Sequence, residues 1–268
     1  MEQERNPIVL PEQIERRLTG KAYTADKTGM SKARVLIFDD CVLKIAPYEP
    51  KNEETVEVMR WLAGKLPVPE VLCYERDETH QFLLMSRLKG KMACDPYYLE
   101  RPKELIRLLA ETIRMLWSVD TADCPRRRDP EYELLEARFR VEHNLVDVNN
   151  VEPETFGEGG FRDPAALLAW LENNRPSYEP VLSHGDLCLP NILIDRGRIG
   201  GLIDLGETGI GDKWRDLALC CRSLRRNAQG AFGGKVYPNA REELLMEALG
   251  VARDAEKIRY YLLLDELF

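Results

Sequence analysis

Long apolar runs are missing from this chain. None approaches the roughly 20 residues with which a helix spans a bilayer. The opening MEQERNPIVLPEQ is charged where a secretion signal carries its apolar stretch. A basic surplus is missing too. Lys and Arg number 38 against 46 Asp and Glu, a net charge of -8, so a nucleic-acid-binding patch has little to draw on. The seven cysteines are an odd number and include no CxxC, which leaves neither a disulfide framework nor zinc spacing. Repeats and low-complexity tracts are absent. So are the glycine-rich phosphate signatures G-x-G-x-x-G and Walker A. The expectation is a reduced, cytoplasmic protein, a monomer or weak dimer, with no membrane or nucleic-acid partner. Its acid surplus suits a cationic ligand.

What is present is a chain of 268 residues, 44% of them hydrophobic, enough for one large domain or two lobes. ARVLIF (33–38) and CVLKIA (41–46) flank Asp39-Asp40 as a hairpin pattern. Glu53 to Lys65 reads as a helix with acids in its first turn and Val56, Met59, Leu62 and Ala63 on one face. LPVPEVLCYE and HQFLLMS read as two further strands. Beyond them the pattern turns helical. Pro102 to Val119 has apolar residues at helical spacing, and Asp163-Pro164, Asn239 with Glu242, and Asp254 read as helix starts, with Gly250 as a stop. The class is α+β, with a β-rich lobe at 1–88 and a mainly helical lobe at 89–268. A polar loop, DVNNVEPETFGEGG (147–160), interrupts the helical part, and loops of that length are often functional.

The stretch SHGDLCLPNILID (183–195) crowds polar groups into an apolar context, which is unfavourable unless they are used. Asn191 follows Asp186 by five positions, and Asp204 of IDLG follows Asn191 by thirteen. The pattern is loop, strand, turn at Arg196-Gly197-Arg198, strand, acid. Such a hairpin returns Asp204 towards Asn191, with Asp186 beside them. An amide oxygen and a carboxylate converging on one point are hard ligands for Mg²⁺ completed by phosphates. A separate carboxylate nearby can take the proton of an attacking hydroxyl. D-x-x-x-x-N followed by D-x-G is the layout of kinase phosphoryl transfer. Lys44, inside the apolar run VLKIA, is the candidate phosphate cation. Its expected partner is Glu53, with Glu54 and Glu57 as the other choices. TGMSKA (28–33) is the candidate phosphate loop.

At these residues the sequence resembles the aminoglycoside O-phosphotransferases, in particular the 3′-phosphotransferases. The likeness runs through GMSKA, VLKIA, WLAGKLPVPEVL, LLMS, HGDLCLPNILID, GLIDLGETGIGDKWRDLAL and YYLLLDELF. It implies a two-lobe fold like that of protein kinases, ATP or GTP as donor, Mg²⁺, and phosphorylation of an antibiotic hydroxyl, the 3′-OH of a kanamycin- or neomycin-type drug. By matching position, Asp186 is implied as catalytic base and Asn191 and Asp204 as metal ligands. Lys44 and Glu53 are implied as the phosphate-positioning pair, and Met30 and Ser31 as loop residues near the phosphates. Met85 to Leu88, including Ser86, is implied as the hinge beside adenine. Glu154 and Glu158 on the polar loop, and Asp265, Glu266 and the Phe268 carboxylate, are implied as the grip on a polycationic drug.

Four positions depart from the resemblance. Glu207 stands where the family has Arg after IDLG. Arg226-Asn227 stands where the family has an acidic pair. Val42 stands where an aromatic residue would stack on the base. Glu207 and Arg226 either pair with each other or act separately at the substrate side. The rival readings are a kinase of the same fold for another small-molecule hydroxyl, a nucleotide-binding pseudokinase, and phosphate or nucleic-acid binding at RSLRR.

Overall fold

The computed structural model describes residues 9–26 and 33–268. Helix α1 (Glu12–Leu18) leads into five strands: β1 (Thr24–Asp26), β2 (Arg34–Ile37), β3 (Cys41–Pro47), then, after helix α2 (Lys51–Leu62), β4 (Val71–Arg76) and β5 (His80–Ser86). They form one antiparallel sheet in the order β1-β2-β3-β5-β4. The alternation of CVLKIA decides its faces. Cys41, Leu43 and Ile45 are buried, with Val42, Lys44 and Ala46 partly exposed between them. Cys41, Leu43, Ile45, Phe82 and Leu84 form a small core with Ile14 and Leu18 of α1. Leu83, whose side chain points the other way, joins α2 in the large core.

The chain leaves the sheet at Ser86 and passes through β6 (Lys91–Met92) and α3 (Pro96–Leu99) to α4 (Pro102–Trp117) and α5 (Pro130–Glu142). The loop 147–160 follows, then α6 (Pro164–Asn173) and β7 (Pro180–Ser183). The hairpin β8 (Ile192–Asp195) and β9 (Arg198–Leu202) pairs with β6, and β10 (Gly209–Asp212) pairs with β7. Helices α7 (Lys213–Ala228), α8 (Glu242–Leu249) and α9 (Ala255–Asp265) complete the fold. The apolar face of α4 (Leu105, Leu108, Leu109, Ile113, Leu116) is fully buried in the large core. Among the described residues no helix is long and apolar enough to cross a membrane.

Asp163 caps α6 and Asp254 caps α9, as their sequence positions predict, and Gly250 ends α8 with φ +71°. The cap expected at Asn239 is not made. Helix α8 starts at Glu242 after Arg241 with no side-chain cap bond, because residues 237–240 close a turn of their own, Ala240 N to Tyr237 O. All seven cysteines are free.

Candidate active site

Backbone geometry builds the site before any side chain enters. Leaving β7, the chain turns at Gly185, whose φ is +82°. A Cβ at this position would run into the main chain of Glu207, so only glycine lets the two loops meet. Asp216, fully buried on α7, accepts both amides of this turn, His184 N at 2.8 Å and Gly185 N at 3.0 Å. Burial raises its carboxyl above the ordinary value, opposed by His184 and the two amides. Arg215 Nε donates to Gly185 O at 2.9 Å, and Thr208 Oγ1 to His184 O at 3.0 Å. His184 donates from Nε2 to Ile203 O at 3.0 Å and accepts the Asp186 amide at Nδ1, 3.3 Å. A carbonyl only accepts and an amide only donates, which sets the tautomer. Asp186 therefore leaves a loop whose main-chain groups are bonded on several sides.

Asn191 ends a short 3₁₀ turn (Leu189–Asn191), and its Nδ2 donates to Asp186 O and Asp186 Oδ2, both at 2.9 Å. That orientation turns the amide oxygen away from Asp186 and leaves it available as a ligand. Asn191 O accepts Ile203 N at 3.0 Å, which holds the end of the hairpin beside it. Asp204 follows in the left-handed region, φ +59°, and its carboxylate takes Lys44 Nζ at 3.1 Å. The structure thus joins four of the expected residues in two pairs, Asp186 with Asn191 and Lys44 with Asp204. The oxygen donors on offer are the Asn191 amide oxygen and the Asp204 carboxylate, the latter shared with Lys44, the hard oxygen set that fits Mg²⁺ sharing its shell with phosphates.

Other expected contacts are not made. Glu53 does not reach Lys44. It pairs with Arg76 at 2.7 Å and accepts Tyr48 OH at 3.1 Å, because it lies on the side of α2 that meets β4. Neither Glu54 nor Glu57 bonds Lys44. Met30 and Ser31 lie outside the described residues. Ser86 is tied to Glu70 through N–H to Glu70 O at 2.9 Å and Oγ from Glu70 N at 2.8 Å. Leu88 packs against Gly201. Val42 is the cross-strand neighbour of Met85.

Of the residues expected to grip an acceptor, Glu154 and Glu158 are exposed on the loop. Asp265 and Glu266 are not free. Arg222 pairs with Asp265 and, at 3.2 Å, with Glu266; Arg215 reaches Asp265 at 3.5 Å. Arg140 donates to Phe268 O at 2.6 Å. Glu207 and Arg226 do not pair with each other. Glu207 pairs with Arg128, itself 5% exposed, while Arg226 lies 3.6 Å from Glu152 and over the Phe232 ring. Beneath them Glu133 is buried against Arg215 at 2.9 Å, and burial pushes its carboxyl up to about 7 against the pull of Arg215 and Arg128.

The sequence reading passed over Asp216, Arg215, Arg126 and Arg128. Only the run WRDLAL, where a helix start carries a buried Asp among apolar residues, held a signal for the first two.

Residues 23–246 match the phosphotransferase enzyme family. An aminoglycoside 3′-phosphotransferase of Enterococcus faecalis is 39% identical over 91% of this chain and 92% of its own length, and one of Staphylococcus aureus is 38% identical over the same shares. The crystal structure of an aminoglycoside-3′-phosphotransferase of type VIII superposes with TM-score 0.81 at 27% identity, covering 96% of this chain and 97% of the other. A Streptomyces rimosus aminoglycoside phosphotransferase, APH(3″)-Id, solved with ADP and streptomycin, superposes with TM-score 0.78 at 25% identity over 95% of each chain.

Proposed function

Because the chain belongs to the phosphotransferase enzyme family and, within it, to the aminoglycoside 3′-phosphotransferases, we propose that it transfers the γ-phosphoryl of ATP to a hydroxyl of an aminoglycoside, the 3′-OH of a kanamycin- or neomycin-type drug, in the cytoplasm. GTP is the alternative donor. The observation that carries this reading is the Asp186–Asn191 contact, in which the Asn191 amide donates to the main-chain carbonyl and one carboxylate oxygen of Asp186 and keeps its own oxygen free, with Asp204 and Lys44 paired nearby.

Asp186 orients the acceptor hydroxyl and takes its proton as the oxygen attacks the γ-phosphorus and ADP leaves. Asn191 and Asp204 would hold Mg²⁺, which when bound offsets charge on the transferred group. Lys44 does the same for the phosphate oxygens once it leaves Asp204. Positioning and electrostatics carry most of the acceleration in this chemistry. Glu154 and Glu158 read as the free acids for a polycationic drug. Asp265 and Glu266 contribute less, since arginines already offset them. That weakening is the observation behind a second reading, a same-fold kinase for a less cationic acceptor.

An ADP-release assay with Mg-ATP against kanamycin, neomycin and other aminoglycosides decides between them. Drug-dependent turnover lost in Asp186→Asn, with nucleotide binding retained, is the expected result. Full activity in Asp186→Asn would sink the mechanism. Turnover indifferent to every drug would favour the second reading.

A further inference from the structure

Three consecutive arginines, Arg126 to Arg128, run alongside β10. Arg128 N bonds Ile210 O at 2.7 Å and Ile210 N bonds Arg126 O at 2.9 Å. Two glycines on β10 permit this approach, since a Cβ at Gly209 would meet Arg126 O and Arg128 Cγ at 2.9 Å and one at Gly211 would press on Arg128 O at 3.2 Å. Residues alternate in such a segment, so Arg127 points outward while Arg126 and Arg128 are 6% and 5% exposed. Arg128 takes Glu207 and Glu136. Among the described residues Arg126 has no carboxylate within ion-pair distance. Its guanidinium instead donates from Nε to Thr208 O at 2.6 Å, from Nη2 to Leu205 O at 3.0 Å, and from Nη1 to Thr55 Oγ1 at 3.2 Å.

These partners define two places. Leu205 and Thr208 bracket the 3₁₀ turn that follows Asp204, and Thr55 lies on α2. A buried cation without a counter-ion is unfavourable for folding, and an always-charged planar fork suits several fixed acceptors at once. Among the described residues, Asp204 itself is linked to the sheet by the Lys44 pair. On the phosphotransfer reading that pair must open, because Lys44 goes to phosphate and Asp204 to metal. The Arg126 link uses neither group and persists.

We propose that Arg126 is a positioning residue that couples helix α2 to the metal-binding turn, so that Asp204 stays aimed at the nucleotide phosphates after Lys44 has left it. Asp204 itself is the ligand; Arg126 acts only through the turn. The inference rests on the proposed phosphotransferase activity.

The test compares the parent with Thr55→Val and Arg126→Lys, in the full chain. Thr55→Val removes the Arg126 bond to α2, and with it the Thr55 Oγ1 bond to Lys51 O inside that helix, while leaving both carbonyl bonds of Arg126 in place. Arg126→Lys keeps the charge but cannot hold both carbonyls and the hydroxyl. Thermal melts check folding. Calorimetric titration with AMP-PNP, with and without Mg²⁺, reads nucleotide binding apart from turnover. Loss of one hydrogen bond from a charged donor amounts to about tenfold in an equilibrium constant. The expectation is about tenfold weaker Mg-AMP-PNP binding in both variants, unchanged binding without Mg²⁺, a matching rise in the Mg²⁺ needed for half-maximal turnover, and an unaltered KM for the acceptor. Parent-like Mg²⁺ dependence in both folded variants would overturn the coupling role, as would equal weakening with and without Mg²⁺. A parent that turns over no acceptor yet binds Mg-AMP-PNP normally would instead remove the activity, and the calorimetric comparison would still decide the coupling.

Discussion

Glu207 and Arg128 hold each other beside the catalytic loop, and the pair determines what substitution there does. Restoring the family's arginine at this position looks from the sequence like a repair. In the structure it sets a second cation against Arg128, which is buried and also committed to Glu136. Glu207→Arg is expected to lower the melting temperature by roughly 4–8 °C, the scale of about 2 kcal/mol, because Arg128 is buried while Glu207 is 37% exposed and solvent screens part of the pair. Glu207→Gln, which keeps a neutral acceptor, should lose less. A melting curve for Glu207→Arg that overlays the parent would show that the pair contributes nothing. The spacing of Asp186, Asn191 and Asp204 was legible because kinase chemistry constrains those residues to a local pattern. Lys44 was legible as an isolated charge in an apolar run. Its partner was not, because the direction of Glu53 on α2 depends on where β4 packs. Arg126 gave no signal, since its partners lie 79 or more positions on, or back on α2, and of the Arg128 partners only Glu136 is near in sequence, with Glu207 lying 79 positions on.

At the level of elements, short-range chemistry was readable and irregular turns were not. Aspartate before proline caps α6 because the side chain accepts Ala166 N at 2.8 Å, and proline lacks the N–H that would go unmet in the first turn. Asn239 has the same capacity but is carried two residues upstream of the cap position by a turn that no pattern announces. Asp163→Ala is expected to cost about 1 kcal/mol, roughly 2–4 °C in melting temperature, with turnover unchanged at 25 °C. A shift below 1 °C would mean that packing of Leu167, Leu168 and Leu171, rather than the cap, sets where α6 begins. Strands β2 to β5 fall on the four apolar runs read as strands, while β1, three residues long, was not anticipated. Helix α1 was not anticipated: it is seven residues long, too short for a periodic signal.

For the molecule as a whole, the net charge of -8 is distributed unevenly. Of the acids proposed to face the acceptor, Asp265 and Glu266 are tied to Arg222, while Glu154 and Glu158 are exposed. Attraction of a polycation then depends on solvent-facing charge, which salt screens within about 10 Å at 0.1 M. Raising ionic strength should raise KM for a polyamine acceptor while kcat changes little. A KM indifferent to salt would place recognition in buried contacts instead.

The sheet divides its side chains between two cores. Phe82 and Leu84 go to the small one with α1, and Leu83 goes to the large one with α2. Side chains adjacent along one strand therefore belong to different cooperative units. The outer unit, with few residues to bury, has the lower free energy of local opening, and its amides should exchange with solvent ahead of those in the large core. A nucleotide gripped by Lys44 on this sheet and by Asp204 on the other side would join the two units into one, and protection from exchange would spread outward from the binding site to α1.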